Sequence, residues 1–132
     1  MPGPARTGAV LYARNLAPMS AFYQGLLGMR VLHSGAMHQV IESPDMQLVL
    51  HAIVPPADNT APAGTEPPVP RADQAVKLFF TVPSLADAER QAVVLGGLVF
   101  GEVYPGPGIR MRNACDPEGN ILQLRERMPG PG

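Results

Sequence analysis

Three polar side chains at strand-like segments of the second half have the clearest binding chemistry in this sequence. Lys77 precedes an apolar run, and Gln123 and Arg125 lie two residues apart in another. Because side chains alternate across a strand, Gln123 and Arg125 share a face. Such donors suit a bound carboxylate, phosphate or enolate, and Arg112 is a further candidate for the cluster. The alternative is that Lys77 lies at the solvent end of its strand and Arg125 pairs with Glu126 or water.

Apolar counterparts and one histidine accompany these donors. Tyr12, Phe79 and Met111 would form the wall of a ligand site, or alternatively belong to ordinary packing. His51 shares a strand face with Val49, which places it near the rim of the same site. Alternatively, His51 simply ends a strand in solvent.

The remaining reactive side chains favour structural roles. Cys115 is the single cysteine, which excludes an intramolecular disulfide and a cysteine cluster, and we expect a small buried hydrophobe. His33 and His38 flank a short turn and are interpreted as exposed hairpin residues. Asp116 and Glu118 lie in a Pro-Gly turn, where Asp typically accepts hydrogen bonds from backbone amides two residues on, so we expect no acid/base chemistry from them.

The elements that must position these residues occur twice. Apolar residues recur with helical spacing over 16–27 and 85–95, each segment followed by glycine. Leu16 and Leu85 are 69 residues apart, as are Gly28 and Gly97. Strands are predicted around both helices, at 9–13, 29–33, 37–42 and 47–50 in the first copy and at 76–82, 98–104, 109–114 and 121–124 in the second.

The repeat predicts an α+β fold of two tandem βαβββ modules that form a cupped mixed sheet. We expect a single domain over 1–132, with modules at 9–52 and 76–125 and a Pro-rich linker at 53–75. Each sheet covers one face with its helix, so the other face is available to a ligand. Strand alternation assigns Tyr12, Lys77 and Phe79 to that free face.

The amino-acid composition limits the classes of partner that the protein can bind. A net charge of -1, 5% aromatic residues and no Trp give no electrostatic footprint for nucleic acid or anionic lipid. No apolar stretch approaches the roughly 20 residues of a membrane span, and the start lacks the apolar core of a secretory signal. We therefore expect a cytoplasmic protein with neither nucleic-acid nor membrane partners.

Several motifs occur in the order typical of one superfamily: Ala13-Arg14-Asn15-Leu16, Ala21-Phe22-Tyr23, Leu27-Gly28-Met29, Val82-Pro83-Ser84-Leu85, Leu95-Gly96-Gly97 and the segment 116–124, DPEGNILQL. In these motifs the chain resembles the glyoxalase/bleomycin-resistance/extradiol-dioxygenase superfamily, also called vicinal oxygen chelate proteins. The resemblance covers nearly all of the chain outside the linker and the ends, and it implies the same duplicated fold.

The resemblance also implies where a metal would lie. The superfamily's metal enzymes carry His, Glu or Gln at positions that correspond here to Gly8, Val49, Lys77 and Gln123. Gly8 and Val49 offer no ligand and Lys77 adds a positive charge, whereas a catalytic site normally has about three protein ligands. We therefore expect no metal and no other cofactor.

The function predicted from these observations is metal-independent binding of a small organic molecule, with sequestration of an antibiotic or metabolite as the analogy from the superfamily. One alternative is a metal-dependent lyase or dioxygenase that uses displaced ligands such as His51 and Gln123. Another is a dimeric interaction module without a small ligand. Because members of the superfamily commonly complete their cups by pairing chains, a homodimer is expected.

Overall fold

The computed structural model describes residues 5–53 and 67–129. The chain divides into two compact units, one within residues 1–62 and the other within 63–132. We expect disorder at both chain ends; their residues 1–4 and 130–132, like residues 54–66 of the predicted linker, lie outside the described residues. The boundaries of the linker and of the two modules therefore stay predictions.

The first unit is a four-stranded mixed sheet with one helix. Its elements are β1 (Gly8–Ala13), α1 (Leu16–Leu27), β2 (Arg30–Ser34), β3 (His38–Glu42) and β4 (Gln47–Ala52). The strands lie in the order β1-β4-β3-β2. The first and last strands of the module are parallel neighbours, and the other two pairs are antiparallel.

Helix α1 follows directly from its sequence pattern. Met19, Phe22 and Leu26 recur on one face and are buried. Gly28 ends the helix in the left-handed conformation at φ 68°, and its N–H donates to the carbonyl of Gln24. Glycine adopts this conformation without the steric cost that a Cβ imposes, so the predicted end of the helix is confirmed.

The second unit repeats the same arrangement. Its elements are β5 (Leu78–Thr81), α2 (Leu85–Val94), β6 (Leu98–Gly106), β7 (Ile109–Cys115) and β8 (Ile121–Arg127), and the strand order is β5-β8-β7-β6. Helix α2 begins at Ser84, whose hydroxyl accepts from the N–H of Asp87 at 3.1 Å. Ser84 is thus the N-cap of the helix, and it satisfies one of the otherwise unpaired first-turn amides.

Strand register shows that the two units are copies. Ala9 pairs with Leu48, and Leu78 pairs with Leu122. Ala9 and Leu78 are 69 residues apart, whereas their partners are 74 apart. The second copy has the longer hairpin, with strands of 9 and 7 residues against 5 and 5. The α+β class and the βαβββ order predicted from the sequence are confirmed.

Alternation along the strands gives each sheet a helix-facing side and an open face. Leu48, Leu50, Leu122 and Leu124 are buried beneath the helices. On the other side, the exposed fractions of Tyr12 and Phe79 are 61% and 56%. The predicted facing of β1 and β5 is confirmed, because a side-chain period of two leaves only one face for the core.

The turn before β8 is stabilised by hydrogen bonds to Asp116 and by close contact with the backbone at Val69. Asp116 is buried and accepts from the N–H of Glu118 at 2.9 Å, from the N–H of Asn120 at 3.0 Å and from the amide of Asn120 at 2.8 Å. Gly119 has φ 84°, and a Cβ there would lie 2.0 Å from the carbonyl oxygen of Val69. The structural role predicted for Asp116 is confirmed. The segment that includes Val69 lies against the turn.

Candidate functional site

The open face of the second sheet collects most of the predicted donors. Phe79 lies opposite Gln123, and Thr81 lies opposite Arg125, on the parallel neighbours β5 and β8. The guanidinium carbon of Arg125 lies 3.7 Å from the centre of the Phe79 ring. This contact is a cation–π interaction across two strands, and it ties the predicted aromatic wall to the predicted cation.

Arg125 is oriented by an amide as well as by the ring. Its Nε donates to Oε1 of Gln123 at 2.9 Å. Glu126, the alternative partner expected from the sequence, lies elsewhere: it accepts from the N–H of Leu85 at 2.8 Å and pairs with Arg110 at 2.6 Å. These two donors lower the pKa of the Glu126 carboxyl, the Leu85 amide contributing most. Glu126 therefore stabilises the N-terminus of α2 and is not a partner of Arg125.

Lys77 completes the cationic part of this face. Its Nζ donates to Oδ1 of Asn113 at 3.2 Å. Asn113 lies opposite Gln123, and Met111 lies opposite Arg125, on β7. Among the residues that the structure describes, neither Lys77 nor Arg125 forms an ion pair with a carboxylate. We name Lys77, Phe79, Met111, Asn113, Gln123 and Arg125 the donor face.

Arg112 does not belong to the donor face, in contrast to the expectation from the sequence. It lies opposite the buried Leu124, on the helix-facing side of β7. Its Nη2 pairs with Glu89 of α2 at 2.9 Å, and its Nε donates to the carbonyl of Phe100 at 2.7 Å. The Arg112 bond and charge lower the pKa of Glu89. Because Met111 faces the open side, its neighbour Arg112 must face the helix. There its ion pair with Glu89 connects α2 to the sheet.

Cys115 has the surroundings of a structural residue. It is fully buried and free. Burial, and secondarily the charge of Asp116, raises its pKa from 9.0 to about 11. Because the thiolate is the nucleophilic form, a thiol of this kind is inert at neutral pH. The expected role as a small buried hydrophobe is confirmed.

The open face of the first sheet carries different chemistry at the equivalent places. Val10 lies opposite Val49, and Tyr12 lies opposite His51. The rings of Tyr12 and His51 meet edge to face, with centres 5.9 Å apart. A shallow cavity of about 270 Å³ lies at the start of β1 and β4, lined by Ala5, Thr7, Gly8, Ala9, Val10, Gln47 and Val49. The lining of this cavity is mainly apolar, whereas Glu42, opposite Gln47 on the same face, pairs with Arg30 at 2.9 Å.

All three histidines lie on this open face, which sequence reasoning missed for two of them. His38 lies opposite His51, and His33 lies opposite Val40, which itself faces Val49. A bulge between Val31 and His33 shifts the alternation of β2 and obscures the facing of His33. For His38 a signal existed: it and His51 are equally distant from the hairpin that Pro44 begins, so they oppose each other.

The four positions that correspond to the superfamily's metal ligands carry few groups that could bind a metal. Val49 and Gln123 lie on the open faces of β4 and β8, and Gly8 begins β1. Glycine and valine provide no ligand atom, Lys77 is a cation, and the Gln123 oxygen accepts from Arg125. Within residues 5–53 and 67–129, no three His, Cys, Asp or Glu side chains are grouped to hold a metal. These residues do not fit a catalytic divalent ion.

Neither helix in the described part of the chain is long and apolar enough to cross a bilayer. No curated protein matches the chain closely enough to be counted as a relative.

Solved structures share the fold over nearly the whole chain. A glyoxalase/bleomycin resistance protein/dioxygenase family enzyme from Burkholderia phytofirmans PsJN is 15% identical, with a TM-score of 0.68 over 95% of this chain and 100% of that one. A fosfomycin resistance protein from Listeria monocytogenes is 11% identical, with a TM-score of 0.64 over 98% and 95%. An integron cassette protein from V. cholerae is 21% identical, with a TM-score of 0.61 over 96% and 97%.

At these identities the structural neighbours show the fold alone. Family membership is shown by the sequence itself, because residues 8–125 match the family model described as a glyoxalase-like domain. That match spans both βαβββ units, from the first residue of β1 into β8. The chain therefore belongs to the glyoxalase-like domain family, within the vicinal oxygen chelate superfamily.

Proposed function

We propose that this protein binds a small, partly apolar organic molecule through an anionic or strongly hydrogen-bond-accepting group, on the donor face and without a metal at the superfamily's positions. The observation that carries the proposal is Arg125, stacked 3.7 Å over Phe79 and held by Gln123. A cation oriented in this way on the open face of the sheet is prepared for an incoming acceptor. Carboxylates, phosphates and enolates are the chemical classes that suit it.

The surroundings of Arg125 support an amphipathic ligand. Phe79 is 56% exposed, so its ring provides apolar surface as well as support for the guanidinium. Met111, opposite Arg125, extends that surface with a flexible side chain that adapts to irregular shapes. Lys77 and the Asn113 and Gln123 amides border it with polar groups. An apolar body with one acceptor group matches this pattern.

The donor set supports binding rather than metal-dependent chemistry. Lyases and dioxygenases of the superfamily need a metal to polarise the substrate, and the corresponding positions here provide one amide oxygen already engaged by Arg125. Sequestration of an antibiotic or metabolite is compatible with this set.

The test is a thermal-shift screen of apolar carboxylic acids, organic phosphates and antibiotics in the presence of EDTA. A hit is then titrated against Lys77→Met, Arg125→Met and the control Arg90→Met, whose side chain pairs with Asp87 on the exposed side of α2. We expect about ten- to hundredfold weaker binding for the first two variants and no change for the third, since a hydrogen bond to a charged group is worth about 1.5–3 kcal/mol.

Two results would overturn the proposal. One is a hit that binds Lys77→Met and Arg125→Met as tightly as the parent protein. The other is one equivalent of Zn, Ni, Fe or Mn that survives mild dialysis and is lost when Gln123 is replaced, which would favour the lyase or dioxygenase alternative.

We further propose that the protein acts in the cytoplasm as a homodimer. The dimer expectation is tested by light scattering at micromolar concentration. A species of about 28 kDa, twice the 14.0 kDa chain, is expected. A stable interface should bury at least about 1,000 Å² in total. A species of only chain mass would reject the dimer.

A further inference from the structure

The histidines of the first sheet form a row across three neighbouring strands, at the end of the open face opposite to Gly8. His33 is on β2, His38 on β3 and His51 on β4. These are all the histidines of the chain. None of them is at a position that corresponds to a superfamily metal ligand, so the row is separate from the positions tested above.

Two of the three imidazoles are spaced as metal ligands are. The ring centres of His33 and His38 lie 5.2 Å apart, with their planes inclined by 35°. With metal–nitrogen distances of about 2.0–2.1 Å, each ring centre lies about 3.2 Å from a bound ion, so two ligands at a tetrahedral angle have centres about 5.2 Å apart. The observed spacing therefore needs no rearrangement of the strands.

The surrounding turn restricts the ring of His38. A Cβ on Gly35 would lie 2.5 Å from Cε1 of His38, so the ring lies directly against the backbone of the turn. The Gly35 N–H also donates to the carbonyl of His38 at 2.8 Å, which closes the hairpin around it. A ligand whose rotamer is restricted in advance loses less freedom on binding an ion.

His51 is engaged elsewhere. Its Nδ1 lies 2.8 Å from the carbonyl oxygen of Ala52, so Nδ1 is the donor, and its ring meets Tyr12 edge to face. His51 is therefore a matched control on the same face.

We propose that His33 and His38 bind an exchangeable divalent transition-metal ion, Zn²⁺, Ni²⁺ or Cu²⁺, through one nitrogen of each imidazole, with water in the other positions. Imidazole suits these ions better than Mg²⁺ or Ca²⁺, which prefer oxygen ligands. Two protein ligands make a weak site, which loses its ion on dialysis against a chelator. The proposal does not depend on the donor face, which is in the other unit.

The test uses the full chain without a histidine tag, dialysed against EDTA and then against buffer. Calorimetric titration with Ni²⁺ and with Cu²⁺ should show one equivalent bound. His33→Ala and His38→Ala should each weaken binding at least ~10-fold, because even residues that only support a metal ligand are worth 10–100-fold. His51→Ala should leave the affinity unchanged, and Mg²⁺ should give no heat of binding.

Nuclear magnetic resonance of the parent protein provides a measurement that does not rely on variants. Substoichiometric Cu²⁺ should broaden the imidazole signals of His33 and His38 first. Unchanged affinity in both His33→Ala and His38→Ala, with native circular dichroism, would overturn the proposal. So would a loss of affinity in His51→Ala as large as that in His38→Ala.

Discussion

The two open faces occupy equivalent places in two copies of one unit, yet their chemistry differs. Where the first sheet pairs Val10 with Val49, the second pairs Phe79 with Gln123. Where the first pairs Tyr12 with His51, the second pairs Thr81 with Arg125. At these positions the first face carries valine, tyrosine and histidine side chains, whereas the second carries phenylalanine, threonine, glutamine and arginine.

The helix-facing sides of the same strands do not diverge in this way. Leu11 pairs with Leu50 in the first sheet, and Phe80 pairs with Leu124 in the second. All these positions are apolar because each must pack beneath a helix, where an unpaired polar group would cost free energy. The comparison separates residues that maintain the fold from residues that are available for binding.

The largest expected effect is therefore the same in both copies. Leu50→Ala and Leu124→Ala should each lower the free energy of unfolding by about 2–5 kcal/mol, because both side chains are fully buried and truncation leaves a cavity. Their open-face neighbours Val49→Ala and Gln123→Ala should cost less than about 1.5 kcal/mol. Urea denaturation measures all four. Equal losses of stability on the two faces would contradict the distinction between residues that maintain the fold and residues that are available for binding.

The two hairpin turns of the second unit, one before β7 and one before β8, should differ in their tolerance of an alanine. In Gly119→Ala the new Cβ meets the Val69 carbonyl oxygen, a backbone atom, at 2.0 Å, and the residue keeps φ 84°. We expect a loss of about 3 kcal/mol or more. The control Gly108→Ala has φ 70° but nothing within 4 Å, so only the conformational cost of about 1–2 kcal/mol applies. Thermal unfolding measures both variants. Equal losses of stability would show that the Val69 backbone moves aside at little cost.

Binding should distinguish the two faces at equivalent positions. Phe79→Ala removes the ring beneath Arg125, and ligand affinity should fall by about 1.5–3 kcal/mol, roughly ten- to hundredfold. Val10→Ala, the equivalent change in the first copy, should leave affinity unchanged. Titration of a hit from the screen measures both. A greater loss in Val10→Ala would place the ligand on the first face.

The smallest effect concerns pH and Cys115. Because its folded-state pKa is raised from 9.0 to about 11, the unfolded chain releases this proton first as pH rises. Its contribution to stability is present below pH 9 and is lost between about pH 9 and 11. Cys115→Ala should have a flatter stability profile over that range than the parent. Rapid alkylation of the folded parent at pH 8 would contradict the buried thiol.

Much of this fold was predictable because its signals are local. Helical spacing that ends at Gly28 and strand alternation at Phe79 each depend on a few adjacent residues. The facing of Arg112 was also readable, since Met111 is its neighbour and adjacent strand residues cannot share a face. The histidine row was harder to predict, because the bulge before His33 breaks the alternation and cross-strand pairing depends on hairpin register.

The cation over Phe79 could not be derived from the sequence alone. Alternation places Phe79 and Arg125 on the same face but leaves the order of strands open, and contact requires β5 and β8 to be neighbours. Parallel pairing of the first and last strands of a module is a long-range property. Similarly, the sequence allows Glu126 as a partner for Arg125, and only the contacts of Glu126 with Leu85 and Arg110 show that it lies elsewhere.

The central claim is that the donor face binds a ligand without a metal, and the side-chain Nε–H signal of Arg125 reports on it most directly. This N–H donates to Gln123, and the guanidinium lies over the Phe79 ring, whose ring current displaces the signal. In EDTA-treated protein, addition of a screened ligand should shift the signal in proportion to occupancy. Metal-independent binding at the donor face is contradicted if the signal stays in place while the Val10 and Val49 amides shift, or if binding requires added metal.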